Sequence, residues 1–164
     1  HDDEVVGHLD AIFSDRSMPA LHAYVQQQLA APHVHMFTIR LRETGERIGT
    51  AKLTVNITHN NAGYGYLIGE KDHWGTAAGM EAQLLLFQYA FETLDIFRIY
   101  GGAPLANTKS HFNFRRLGFR KEGVFRKHVR VSPDTDELSD VVYYGLLSDE
   151  WPALKQKFGQ HFAS

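Results

Sequence analysis

The chain of 164 residues is 43% hydrophobic and 22% charged with a formal net charge of -2, which describes an ordinary globular protein and excludes a disordered or membrane-spanning one. It contains no cysteine, so disulfides, thiolate nucleophiles and cysteine-based zinc sites are excluded together. No apolar run approaches the roughly eighteen residues of a membrane span, the N-terminus HDDEVVGHLD is no signal peptide, and one cytoplasmic domain over residues 1–164 is expected.

In chain order, SMPALHAYVQQQLAA predicts a helix with Ser17 as N-cap, Pro19 in the first turn and Leu21, Val25 and Leu29 at helical spacing. HVHMFTIRL, the turn RETGER and IGTAKLTVNI alternate as a hairpin with Thr44-Gly45 at its tip, and GYGYLIGE, Gly63 to Glu70, extends the run by a third strand. Met80, Leu84, Phe87, Phe91 and Leu94 then draw one apolar stripe along a helix ending near Leu94. FRIYGGAP reads as a buried strand, and NTKSHFNFRRLGF as a short helix between an Asn107 N-cap and a C′ glycine at Gly118. GVFRKHVRV and VVYYGLL are strands around the polar loop SPDTDELSD, and SDEWPALKQKF opens a last helix. The order is α+β, with helices interrupting a mostly antiparallel sheet.

One stretch, EKDHWGTAAGMEAQ, carries chemistry. A strand that runs through a small-residue loop into a helix leaves the first helical N–H groups unpaired at the positive end of the helix dipole. Small residues at Gly75, Ala77, Ala78 and Gly79 let a phosphate approach that backbone, although a plain tight turn has the same composition. Neither G-x-x-x-x-G-K-[ST] nor G-x-G-x-x-G occurs here, which disfavours a nucleotide triphosphatase and a dehydrogenase.

With GYLIGEKDHWGTAAGMEAQLLLFQYAFETLDIFRIYGG, NTKSHFNFRRLGFRKEGVFR and DVVYYGLLSDEW in this order, the chain resembles the GNAT superfamily of acetyl-CoA-dependent N-acetyltransferases from about Val5 to Trp151. It is most similar to the RimJ/RimL-like, ribosomal-protein-type branch. The resemblance implies a GNAT fold, a mixed and mostly antiparallel sheet splayed between two parallel central strands, here Tyr66 to Gly69 and Ile99 to Gly102. It implies acetyl-CoA as co-substrate, with its pyrophosphate held by the backbone of Trp74, Gly75, Thr76, Ala77, Ala78, Gly79 and Met80. In the family's Q/R-x-x-G-x-G/A pattern Trp74 replaces the usual Gln or Arg, and Ala77 replaces the first glycine. A bulky residue at Gly79 is expected to abolish coenzyme binding.

The resemblance further implies coenzyme contacts at Leu67, Ile68, Gly69, Asn107, Ser110 and Phe114, with a backbone N–H near Leu67 or Ile68 polarising the thioester carbonyl. Phe114 stands where many relatives carry a tyrosine general acid, and Gly63 where many carry a glutamate. Ser110 is the hydroxyl nearest the missing acid. Glu70, Asp72, His73 and His59 lie near the ends of the strand, and Glu70 or His59 is the expected base, acting through water. The acceptor is a primary amine: an amino sugar, free or nucleotide-linked, a polyamine or antibiotic amine, or a protein N-terminus. The alternative is a non-catalytic domain that binds coenzyme A and recognises a partner.

Other features have bland readings. Lys109 to Arg130 holds eight Lys/Arg against one acid, Glu122, either a solvated face or an attraction for coenzyme and acceptor phosphates; it lacks nucleic-acid-binding signatures. His33 and His35 share a strand face without a third ligand at metal spacing, so no metal is expected. Tyr143 and Tyr144 belong to a sheet face, and one could line the acceptor cleft, placed between the N-terminal helices and Gly123 to Val131. His1 is no initiator residue, so a longer reading frame or processing is expected. DDEVVGHL resembles the end of the family's first acidic-to-helical segment, and without the family's first strand the next one is an exposed edge, open to a loop or to a second chain of a homodimer.

Overall fold

The computed structural model describes residues 17–131 and 135–162; the DDEVVGHL segment lies outside them. In chain order the elements are α1 (Met18–Ala30), β1 (Val34–Arg40), β2 (Arg47–Asn56), β3 (Asn61–Ile68), α2 (Ala77–Gln88), β4 (Arg98–Pro104), α3 (Thr108–Arg116), β5 (Arg120–Arg130), β6 (Leu138–Leu147) and α4 (Trp151–Lys157). They fall into two compact units, Gln28–Ile99 with Leu146–Ser164, and Tyr100–Gly145 with the residues up to Gln27.

Helix α1 starts as the sequence predicts, with the Ala20 N–H donating to Ser17 Oγ at 3.3 Å. Its less exposed positions are Ala20, Leu21, Tyr24, Val25 and Gln28, whereas Leu29 is 59% exposed. The stripe therefore tilts by one residue from the predicted Leu21, Val25, Leu29 line.

In the unit built on Gln28–Ile99, β1, β2 and β3 form an antiparallel meander with Gly45 at φ +70 in the first turn. Only glycine adopts that conformation without strain. Side chains alternate along β3, so that Tyr64, Tyr66 and Ile68 share one face. Helix α2 lies on that face: Tyr64 meets Phe87 edge to face at 5.2 Å, and Gly79 approaches Tyr66 and Ile68. Met80, Leu84, Phe87 and Phe91 from the predicted stripe are buried. The helix ends in a single π-helical stretch, Tyr89–Thr93. There Phe91 packs on Trp151 of α4 at 5.6 Å, while the Trp151 indole N–H and Lys155 Nζ donate to Glu92 Oε1 at 2.8 and 2.6 Å. These bonds hold the Glu92 carboxyl at about 2, well below the usual range, with the Lys155 bond the largest cause.

In the unit built on Tyr100–Gly145 the strand order is β4-β6-β5, and β5 pairs antiparallel with β6. A bulge between Phe125 and Val129 puts Lys127 at φ +50, and the Lys127 N–H donates to Asp140 Oδ1 at 2.8 Å. Helix α3 covers the Tyr144 face, where Phe114 stacks on Tyr144 with centroids 4.5 Å apart and planes 8° apart. Asn107 caps this helix by accepting the Ser110 N–H at 3.0 Å, and Gly118 follows its end at φ +80, both as predicted. Strand β5 is largely exposed on both faces.

Candidate active site

The loop from Glu70 to Thr76 is built by local hydrogen bonds. After β3 the chain makes a 3-10 turn, Lys71–His73. The Trp74 indole N–H then donates to the Ile68 carbonyl at 2.9 Å. This bond ties the loop to the end of β3. Gly75 follows at φ +72 in open space, so it is required by backbone conformation and not by crowding.

Thr76 is the N-cap of α2 by position only. Its hydroxyl donates backwards to the His73 carbonyl at 2.8 Å and makes no cap bond to the helix. The first turn of α2 also contains no acid. Among the described residues, neither the cap nor the first turn of this helix supplies a side-chain acceptor to its leading N–H groups at the positive end of the dipole, which favours an anion there. Thr76 and Ala77 are exposed and Ala78 is half-buried, whereas Gly79 and Met80 are buried. Gly79 is also small for an internal reason: a Cβ there would overlap the Tyr66 hydroxyl oxygen.

Strand β3 turns the N–H groups of the two oxyanion candidates to opposite edges. The Gly69 N–H donates to Ile48 O at 2.8 Å, and Leu67 lies opposite Thr50 in the same antiparallel ladder. Bonding alternates along such a strand, so Leu67 turns its N–H toward β2 and Ile68 turns its own toward the opposite edge. Burial pushes the neighbouring Tyr66 hydroxyl up to about 12, and burial followed by Tyr66 raises that of Tyr64 further. Both phenols stay protonated.

The structure separates the remaining candidates. Glu70 is exposed and adjoins the cradle loop. His59 is exposed in the turn before β3, its N–H bonded to Asn56 Oδ1 at 3.2 Å. The eight residues of β3, at about 3.3 Å each, set these two roughly 26 Å apart. In the other unit Asn107 and Ser110 are half-buried at the start of α3, and Phe114 is 6% exposed between Tyr144 and Phe119. Tyr144 is buried, so of the two tyrosines only Tyr143 has surface to offer. A groove of about 690 Å³ between β1 and α2, floored by Phe37, Leu86 and Tyr89, touches the cradle only at Ala78.

Comparison with known proteins gives the family and the fold. The family described as "Acetyltransferase (GNAT) domain" matches residues 1–120. The chain belongs to the GNAT acetyltransferase family. Its GNAT fold, a mixed α+β sheet flanked by helices, matches a T. thermophilus protein solved as a candidate acetyltransferase, with 30% identity, a TM-score of 0.82, and coverage of 98% of this chain and 83% of the other. The uncharacterized N-acetyltransferase p20 of Bacillus licheniformis is 33% identical over 116 residues, 70% of this chain and 63% of p20. The match thus spans less than two thirds of that relative. The spermidine N-acetyltransferase of Vibrio cholerae, solved with CoA and spermine, has the same fold at 17% identity and a TM-score of 0.80, over 92% of this chain and 86% of the other.

Proposed function

We propose that the chain transfers the acetyl group of acetyl-CoA to a primary amine by direct attack. The observation that carries this reading is the open start of α2, with Gly75 at φ +72 and Thr76 turned back to His73, in a chain of the GNAT family. The coenzyme pyrophosphate accepts hydrogen bonds from the backbone between Trp74 and Met80. The Ile68 N–H polarises the thioester carbonyl and holds the oxyanion. The amine lone pair forms the new C–N bond, the C–S bond breaks, and coenzyme A leaves as thiolate. The amine proton passes through water to Glu70, since His59 lies at the far end of β3 from Ile68, and the thiolate is finally protonated from solvent. A thiol of pKa roughly 8.5 leaves tolerably without a dedicated acid, which suits Phe114, with Ser110, on the same helix, as the proposed hydroxyl. Contacts of Gly69, Asn107, Ser110 and Phe114 with the coenzyme rest on the family resemblance.

We place the protein in the cytoplasm, as one catalytic domain of the RimJ/RimL-like branch, alone or as a homodimer. The favoured acceptors are amino sugars, free or nucleotide-linked, and protein N-termini; polyamines enter because a protein of this fold was solved with spermine. A second reading, a coenzyme A-binding domain without turnover, is favoured by the burial of Phe114 among rings. A panel of these amines with acetyl-CoA, followed by coenzyme A release, separates the two. Release with at least one amine supports catalysis, and tight binding with no release supports the second reading.

A further inference from the structure

We infer that His111 and Tyr144 form a clamp on the turn between β4 and α3, and that this clamp sets the affinity for acetyl-CoA as a positioning device. The inference rests on the proposed coenzyme role of Asn107.

The proton positions follow from the partners. His111 Nε2 lies 3.1 Å from the Pro104 carbonyl oxygen and 3.2 Å from that of Leu105. Carbonyls only accept, so Nε2 carries the proton and shares it between them. In the neutral ring Nδ1 is then an acceptor, and Tyr144, whose oxygen is 3.1 Å away, donates its hydroxyl proton to it. Tyr144 is itself held in place by its stack on Phe114. Both partners are buried, His111 at 9% exposure and Tyr144 at 4%. Water therefore does not readily replace a lost partner.

The clamp acts on the residues just ahead of the helix. Pro104 O accepts the Asn107 N–H at 2.8 Å as well as the His111 proton, and Asn107 O accepts the His111 N–H at 3.2 Å. Asn107 Oδ1 is committed to the Ser110 N–H. The direction of the Asn107 amide NH₂ is consequently fixed by a turn whose carbonyls are gripped by His111, and His111 is oriented by Tyr144. Neither ring touches the coenzyme in this scheme.

Two variants test it. Tyr144→Phe keeps the ring on Phe114 and removes the proton that Nδ1 accepts; His111→Gln keeps a donor for the two carbonyls and breaks the contact with Tyr144. Acetyl-CoA affinity is measured by calorimetry on wild type and both variants, well below their unfolding temperatures, with thermal unfolding alongside. The expected result is a dissociation constant raised about tenfold in Tyr144→Phe, a similar rise in His111→Gln, and no further rise in the double variant because one bond is lost only once. Folded variants with wild-type affinity, whatever their unfolding temperature, overturn the clamp. If Tyr144→Phe does not fold, His111→Gln decides alone. A wild type without affinity for acetyl-CoA removes the coenzyme reading itself, and this inference with it.

Discussion

Gly79 packs against Tyr66, so that a Cβ added to this helix residue would overlap the phenolic oxygen on β3. Gly79, within the Trp74 to Met80 segment proposed for the pyrophosphate, is thus also a point at which α2 meets β3. Gly79→Ala is expected to destabilise the protein by about 1–3 kcal/mol through overpacking. Tyr66→Phe in the same chain should restore most of that loss, because the next atom, Cζ, is 3.4 Å away. Denaturant unfolding of the two single variants and the double variant measures the coupling; simple additivity contradicts it.

Gly75 makes the opposite prediction. Nothing surrounds its missing Cβ, but φ is +72. Gly75→Ala should cost about 1–2 kcal/mol of backbone strain, shown as weaker acetyl-CoA binding or lower stability, and no second-site substitution should rescue it as Tyr66→Phe rescues Gly79→Ala. Calorimetry and unfolding on both pairs check this.

Trp74→Phe keeps an aromatic side chain, though a smaller one, and deletes the donor to the Ile68 carbonyl. Losing one such bond is expected to raise the acetyl-CoA dissociation constant about threefold to tenfold, with little change in unfolding temperature since the loop lies outside the core. An unchanged dissociation constant would show that the staple does not hold the cradle.

Glu92 sets the acid side of stability. Its carboxyl, held by Lys155, Trp151 and Gln88, titrates at about 2 against an ordinary value of 4.5. The unfolded chain therefore takes up a proton that the folded chain refuses, and the contribution is complete above pH 4.5 and lost as pH falls toward 2. The side chain is 39% exposed, so solvent screening makes the effect modest. Glu92→Gln should flatten the decline of denaturant stability between pH 4.5 and 3; equal slopes in variant and wild type would refute the assignment.

How much was legible in the sequence depends on whether the signal was local. The Asn107 cap, Gly118 at positive φ, the Gly45 turn and the apolar stripe of α2 each follow from a few consecutive residues, and the structure has them all. The contact of Gly79 with Tyr66 was not legible, because Tyr66 lies thirteen residues earlier on another element and only packing brings the two together. The same holds for His111 and Tyr144, thirty-three residues apart. Their one advance signal is a histidine four residues after an N-cap, facing back over its own turn. For the choice between Leu67 and Ile68 the ladder was needed, since strand pattern fixes side-chain faces but not which N–H groups the neighbouring strand consumes.

Acetyl transfer itself is most directly tested by incubating the chain with acetyl-CoA and a mixed panel of amino sugars, nucleotide-linked amino sugars, polyamines and N-terminal peptides, then weighing the products by mass spectrometry. At least one amine gaining the mass of a single acetyl group, with release of an equal amount of coenzyme A, is the predicted result. Bound acetyl-CoA left intact with every amine would contradict catalysis, and failure to bind acetyl-CoA would contradict the cradle as well.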